Sequence, residues 1–367
     1  MTTQPVVPRP RSAAHLVILC AEGRQIHRKI TREKDYYRVL YPSGNPMDAA
    51  QTKPPTARAA MALAKAQAYQ DAADAPSTLR AYAADLKNFE AWCARNGFLA
   101  LPAAPEIVGA YLAAAGEGYA MQTLRRRVAA IARASGVAGH PLDTKHPAIR
   151  ETLRGIGRTH GSRGRRSAAL TTTELKKLSH VCEPGLAGVR DRALLLTCFA
   201  GALRRSELVA LDVERLTWLN NGVKLLLEKS KTDKDGKGVE IMIMAGRHEG
   251  TCPVAALRRW LEAAAITTGP VFRKVNKAGR VETRRLSEDA VRQILLRRAA
   301  QAGVHGSLAE PVSPHGLRAG FVTTAYRNGV SDEEIMGHTR HQSLTTMRSY
   351  VRRAKLSRAS PAGKLGL

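Results

Sequence analysis

The chain has 367 residues, enough for two domains with cores of their own. Its 58 lysines and arginines against 31 acidic residues leave a formal charge of +27 at pH 7. This makes nucleic acid the first partner to consider, because each phosphate neutralised by Lys or Arg releases counterions; a solubilising basic surface, or one that meets an acidic protein, is the competing explanation. A membrane span, a disulfide framework and a cysteine-ligated zinc site are excluded: no apolar run reaches transmembrane length, and the five cysteines (Cys20, Cys93, Cys182, Cys198, Cys252) are scattered and never spaced Cys-x-x-Cys.

Residues 1–70 are the least legible. Pro5, Pro8 and Pro10 make an extended start without a hydrophobic signal core, so no export signal is expected, and the protein is expected in the cytoplasm with the nucleoid. A short strand is expected around Tyr36–Leu40, turn formers crowd Tyr41–Pro55, and the alanine content from Thr56 to Gln70 predicts a helix. Two readings of this extension stand, an accessory DNA-binding arm or a partly disordered stretch.

Residues 71–160 read as a small helical domain. Leu79, Tyr82, Leu86, Phe89 and Trp92 recur at spacings of three and four, and Asn96-Gly97 ends the run. Pro105-Glu106 opens a second helix with Ile107, Val108, Tyr111 and Leu112 on its apolar side. A third, from Met121 to Ala134, sets Leu124, Val128 and Ile131 inside and Arg125, Arg126, Arg127 and Arg133 at the edges; a fourth spans Pro147–Ile156. Arg125, Arg126 and Arg127 can be a solvated face, but in so basic a chain phosphate contact is the favoured expectation.

Residues 161–168, with Arg163, Arg165 and Arg166 among small residues, read as an exposed basic linker that also meets DNA. The second domain, 169–355, starts at the capping box Thr171-Thr172-Thr173-Glu174. An apolar helix follows over Gly188–Ala200. Val223–Leu227 and Val239–Met244 read as two strands joined by a charged turn containing Lys231, and everything after Cys252 reads as mainly helical, ending in a basic tail over 356–367.

Three segments carry chemistry. Arg204 and Glu207 share a face at the start of a helix, His315 and Arg318 do so after Pro314, and Tyr350 lies nine residues beyond His341. Each is bland alone: Arg-x-x-Glu is usually a surface ion pair, His-x-x-Arg is expected by chance in an arginine-rich chain, Lys231 is one of several turn lysines, and a lone tyrosine is more often packing. Their order is not bland.

Arg204-Arg205-Ser206-Glu207-Leu208, a lysine in a β-turn, His315-Gly316-Leu317-Arg318, and then Gly337-His338, His341 and Tyr350 together resemble the tyrosine recombinases, or phage integrase family, over roughly residues 75–355. The resemblance implies a mainly α fold with a small β-sheet (α+β), arranged as a two-domain DNA clamp: a helical, SAM-like core-binding domain and a tyrosine recombinase catalytic domain. It implies that Tyr350 attacks a DNA phosphodiester to leave a 3′-phosphotyrosyl link. Arg204 and Arg318 would hold the non-bridging oxygens, His315 would take the tyrosine proton, His341 would donate to phosphate, Lys231 would protonate the departing 5′-oxygen and Glu207 would support them. Two alternatives stay open: His338 against His341 for the phosphate contact, and Lys229 or Lys234 against Lys231. No metal and no cofactor are expected. The implied partners are double-stranded DNA recombination sites, bound by a homotetramer on two sites, with accessory DNA-bending or directionality proteins. The implied task is integration or excision of a mobile element. Xer-type multimer resolution, type IB topoisomerase or telomere-resolving activity, and a catalytically silent DNA-binding regulator are the alternatives.

Overall fold

The computed structural model describes residues 14–19, 25–30, 56–161, 166–228 and 238–356. The expected strand at Tyr36–Leu40, the turn carrying Lys229, Lys231 and Lys234, the linker residues Arg163 and Arg165, and the tail beyond residue 356 lie outside the described residues. The described chain is mostly helical with small antiparallel sheets, and it divides into two compact units, Met1–Gly164 and Arg165–Leu367. Among the described residues no helix is long and apolar enough to cross a membrane.

In the first unit β1 (Ala14–Leu19) pairs antiparallel with β2 (Gln25–Ile30), a hairpin that the sequence reading lacked. The signal was present, since β-branched Val17, Ile18, Ile26 and Ile30 flank Glu22-Gly23. The helix predicted from Thr56 is α1 (Ala57–Ala72), whose Ala59 N–H donates to Thr56 Oγ1 at 3.3 Å. Helices α2 (Pro76–Arg95), α3 (Pro105–Ala115), α4 (Met121–Val137) and α5 (Pro147–Thr159) then pack around Phe89, Leu112, Leu124, Ile131 and Ile149, all fully buried.

The arginine run on α4 is split by this packing. Arg125 is exposed, whereas Arg126 donates from Nε and Nη2 to the two oxygens of buried Asp85 at 2.7 and 3.1 Å. Arg127 is only 4% exposed and lies over the Tyr119 ring at 3.8 Å. The expectation that Arg127 meets phosphate is therefore corrected. Its guanidinium is enclosed in the helical core, which leaves Arg125 and the half-exposed Arg126 as the outward cations of the run.

The second unit begins with α6 (Thr172–His180), where Glu174 Oε2 accepts the Thr171 N–H at 2.7 Å as the capping box predicts. Helix α7 (Leu186–Ala200) is wrapped by apolar neighbours and buries Leu194, Leu195, Leu196 and Cys198. The short α8 (Arg205–Ala210) follows, then a sheet in the order β3 (Leu216–Leu219), β4 (Gly222–Leu227), β5 (Val239–Met244). Val223 faces Ile243 and Leu225 faces Ile241 in register, which turns one apolar row toward the core. Helix α9 (Pro253–Ala263) closes over it, with the buried Trp260 indole donating to Val271 O at 2.8 Å.

A separate two-stranded hairpin, β6 (Arg273–Val275) and β7 (Val281–Arg285), falls within the stretch that reads as mainly helical. Its strands are short and rich in Arg, Lys and Glu, so no apolar alternation announces them. Helices α10 (Glu288–Gln301), α11 (Pro314–Arg327), α12 (Asp332–Thr339) and α13 (Leu344–Leu356) complete the unit.

One contact fixes α11. The chain over 166–170 runs against it, with Leu170 N–H donating to Gly316 O at 2.9 Å and Ala168 N–H to Pro311 O at 3.1 Å. A Cβ on Gly320 would stand 1.7 Å from Leu170 O, and one on Gly316 2.3 Å from Ala168 O. Because the obstacle is backbone rather than a flexible side chain, Gly320→Ala is expected to destabilise the protein by about 3 kcal/mol or more, at the upper end of overpacking costs. Urea unfolding of wild type and variant checks this; an unchanged midpoint would contradict it.

Candidate active site

Helix α7 ends at Gly201, and Ala202 then takes a positive φ of 44°, a conformation that side-chain-bearing residues rarely adopt. That turn aims the Ala202 carbonyl into the unit and brings Arg204 to the extended N-cap position of α8. Glu207, one turn on and 2% exposed, accepts the Arg204 N–H at 2.8 Å and Arg204 Nη1 at 2.6 Å. Backbone and side chain of Arg204 are thus pinned by one carboxylate.

Pro314 occupies the first turn of α11, where its missing N–H costs nothing. One turn along, Arg318 is fully buried and donates through Nη1 to Ala202 O at 2.6 Å and through Nη2 to Thr339 O. His315 stands at the solvent-facing rim of the same helix face. Its Nε2 is 2.7 Å from the Tyr350 hydroxyl, which α13 presents from the other side. The His341 and Tyr350 ring centroids are 5.9 Å apart, so two imidazoles flank the phenol.

The two candidate histidines have different surroundings. His338 lies within α12, where its Nε2 meets Ala200 O at 2.8 Å and its ring stacks on Phe321 with centroids 4.7 Å apart. His341 lies just past the helix and is the one placed against Tyr350.

Between them lies a residue that the sequence analysis did not single out. Arg340 caps α12 in the left-handed conformation, φ 58° and ψ 41°, a position that favours glycine. The turn folds its side chain inward to 7% exposure, where Nη2 donates to Glu207 Oε2 at 2.8 Å and to Ala202 O at 3.3 Å. Glu207 therefore bridges Arg204 and Arg340, while Ala202 O bridges Arg318 and Arg340. Apart from its place before His341, nothing in the sequence marks Arg340.

The electrostatics follow from three guanidinium groups around one carboxylate. Burial works to raise the Glu207 pKa, but the Arg340 charge and the Arg204 hydrogen bonds outweigh it and hold the carboxyl below its usual range. Desolvation first, then the Arg204 and Arg340 charges, lower Arg318 to about 10, which leaves it cationic at neutral pH. Desolvation followed by the Arg318 and Arg204 charges depresses His315, and the same causes with His315 and Arg340 added bring His341 down to about 4. Both imidazoles are therefore neutral near pH 7, set beside a surplus of fixed positive charge. Such a site can hold a phosphate by its non-bridging oxygens and offer a neutral base to a phenol.

Comparison with known proteins agrees with this chemistry. The Phage integrase family profile matches residues 168–356. The chain is 33% identical over 296 residues to an integrase/recombinase xerD homolog of Selenomonas ruminantium, covering 80% of this chain and 86% of that one. It is also 33% identical to tyrosine recombinase XerC of Pelotomaculum thermopropionicum over 42% of this chain and 48% of that protein. Among solved structures, the fold is similar to XerH site-specific recombinase in its post-cleavage complex with palindromic difH substrate, with TM-score 0.56 and 19% identity over 76% of this chain and 77% of that one. It is also similar to a lambda integrase tetramer bound to a Holliday junction, with TM-score 0.51 and 16% identity over 92% of this chain and 97% of that one. The chain belongs to the phage integrase family, the tyrosine recombinases. It is a DNA strand-transferring enzyme of site-specific recombination.

Proposed function

We propose that Tyr350 is the nucleophile of this enzyme. Its oxygen attacks a DNA phosphorus, forming a 3′-phosphotyrosyl bond as the bond to the 5′-oxygen breaks, and its proton passes to His315 Nε2. The contact that carries the reading is the 2.7 Å approach of the Tyr350 hydroxyl to His315 Nε2. Arg204 and Arg318 hold the non-bridging oxygens, where charge grows in the transition state, and His341 adds a hydrogen bond there. Lys231 protonates the departing 5′-oxygen; this role rests on the family resemblance. Glu207 holds Arg204 and Arg340 in place without touching substrate. Because the phosphotyrosyl bond retains the energy of the broken diester, a 5′-hydroxyl from another strand can reverse the step without ATP.

The substrate in this reading is double-stranded DNA carrying paired recombination sites, engaged by four protomers. Arg125, Arg126, Arg163, Arg165 and Arg166 are assigned to phosphate contact, and the net charge of +27 supports a polyanionic partner. The task is integration or excision of a mobile element. A second reading, resolution of chromosome or plasmid multimers, is favoured by the names of the relatives, a xerD homolog and a XerC recombinase. Deleting the gene separates the two: loss of excised circles follows from the first, accumulation of replicon dimers from the second.

The chemical claim is tested with a nicked suicide duplex carrying the attachment site. A slow-migrating, protease-sensitive covalent band is expected, and its absence would overturn the assignment of Tyr350. The pH dependence is a further prediction. A base must be unprotonated to act, and His315 is held below the ordinary histidine value of 6.5. The rate of adduct formation should therefore rise with pH but keep its plateau below pH 6.5, where an unperturbed imidazole would already be protonated. A profile that falls away at or above the ordinary value would rule this out.

A further inference from the structure

Thr339 ends α12 and is fully buried, and its side chain makes two short contacts. Its Oγ1 lies 2.6 Å from Ile335 O and 2.6 Å from His341 Nδ1. A hydroxyl has one proton to give, and a carbonyl oxygen has none. Two oxygens at that separation without a hydrogen between them would repel, so the Thr339 proton is committed to Ile335 O. The second contact then has to be made by a proton on the histidine nitrogen. Nδ1–H donates and Thr339 Oγ1 accepts.

The geometry points to Thr339 as a positioning residue that fixes the tautomer of His341, so that Nε2 carries a lone pair whenever the ring is neutral. The same residue's carbonyl takes a hydrogen bond from Arg318 Nη2, so one buried threonine orients two groups of the site. For the reaction, His341 is then the opposite of a ready donor. It can hydrogen-bond a phosphate oxygen through Nε2 only after taking up a proton there. The groups facing it are Arg318 and His315 from α11, Arg204 from the start of α8, Arg340 from the α12 cap and Tyr350 from α13. The cationic members oppose that proton until an anion is placed among them. Phosphate arrival and protonation of His341 are thereby linked.

The consequence for phosphate rests on the function proposed above, but the tautomer is a property of the ligand-free chain and is tested without DNA. Side-chain nitrogen NMR of histidine-labelled full-length protein reports which ring nitrogen is protonated, and the His341→Gln spectrum identifies the signals of this ring. At neutral pH the wild type is expected to show His341 protonated on Nδ1 and bare on Nε2. Thr339→Val removes the acceptor while keeping the carbonyl that holds Arg318, and should move the neutral ring toward the Nε2–H form. Thr339→Ser should restore the wild-type signature. An Nε2–H signal in the wild type, or a Thr339→Val spectrum identical to it, would overturn the proposal. If Thr339→Val does not fold, the wild-type and Thr339→Ser spectra decide alone. On a suicide duplex the wild type should form adduct, and Thr339→Val should keep doing so, because its Nε2–H ring can donate to phosphate without first taking up a proton. A normal tautomer with no adduct in any variant would instead count against Tyr350 as nucleophile.

Discussion

A Tyr350→Phe protein is expected to bind a duplex carrying its site and to yield no covalent adduct at all. The substitution deletes one oxygen from a ring that stays flanked by His315 and His341, so folding is little disturbed while the atom proposed to attack is gone. Arg204→Ala makes the complementary case. Its guanidinium is partly open, 23% exposed, and it is held by Glu207 rather than by the apolar core. Removing one donor to a developing oxyanion costs about 10²–10³ in rate, so adduct should form that much more slowly with binding largely retained. Single-turnover trapping on the suicide duplex measures both. A covalent band from Tyr350→Phe, or an Arg204→Ala rate within a few-fold of wild type, would remove these residues from the roles assigned to them.

Arg340→Ala should destabilise the protein markedly. Glu207 is buried and charged, and its Oε2 accepts from Arg340 Nη2 as well as from the Arg204 N–H. Deleting one partner of a buried pair typically costs about 3–5 kcal/mol because a charge is left uncompensated. Arg204 still holds Glu207, so the expected loss lies near the lower end, about 3 kcal/mol. Relief of the left-handed backbone strain is too small to reverse the sign, since alanine is no better suited to that conformation. Denaturant unfolding of Arg340→Ala against Arg340→Ala/Glu207→Gln separates the causes. The double variant should recover part of the loss, whereas no recovery would mean that the ion pair is not its origin.

How much of this was legible in sequence depended on periodicity. Helices α2 to α5 announced themselves through apolar spacing and proline starts, and the Thr171–Glu174 box marked α6. The order of polar motifs pointed to the family, and with it to the segments that the structure gathers around Tyr350. The misreading of Arg127 was avoidable. It stands three residues after Leu124 and four before Ile131, on the apolar face, just as Asp85 lies between Tyr82 and Phe89 on α2. Periodicity placed both inside, and the charge of the run concealed it. Arg340 was a different matter: a left-handed arginine has no local signature, and its partners, Glu207 and Ala202, are more than a hundred residues away in the chain.

The helix that carries Tyr350 packs on a cluster of its own. Val322, Ile335 and Met347 form a small apolar cluster separate from the main core, and among the described side chains of α13 Met347 is the fully buried one. The ion pair of Arg348 with Asp332 on α12, at 2.9 Å, is largely solvent-exposed and adds little. Among the described side chains, lifting α13 away forfeits that methionine's burial, about 2–5 kcal/mol, together with the Tyr350 packing and its contact to His315, and breaks none of the hydrogen bonds among Arg204, Arg340 and Glu207. In the function proposed above, the attacking hydroxyl would thus ride on a helix whose displacement leaves the guanidinium groups and their carboxylate bonded to one another.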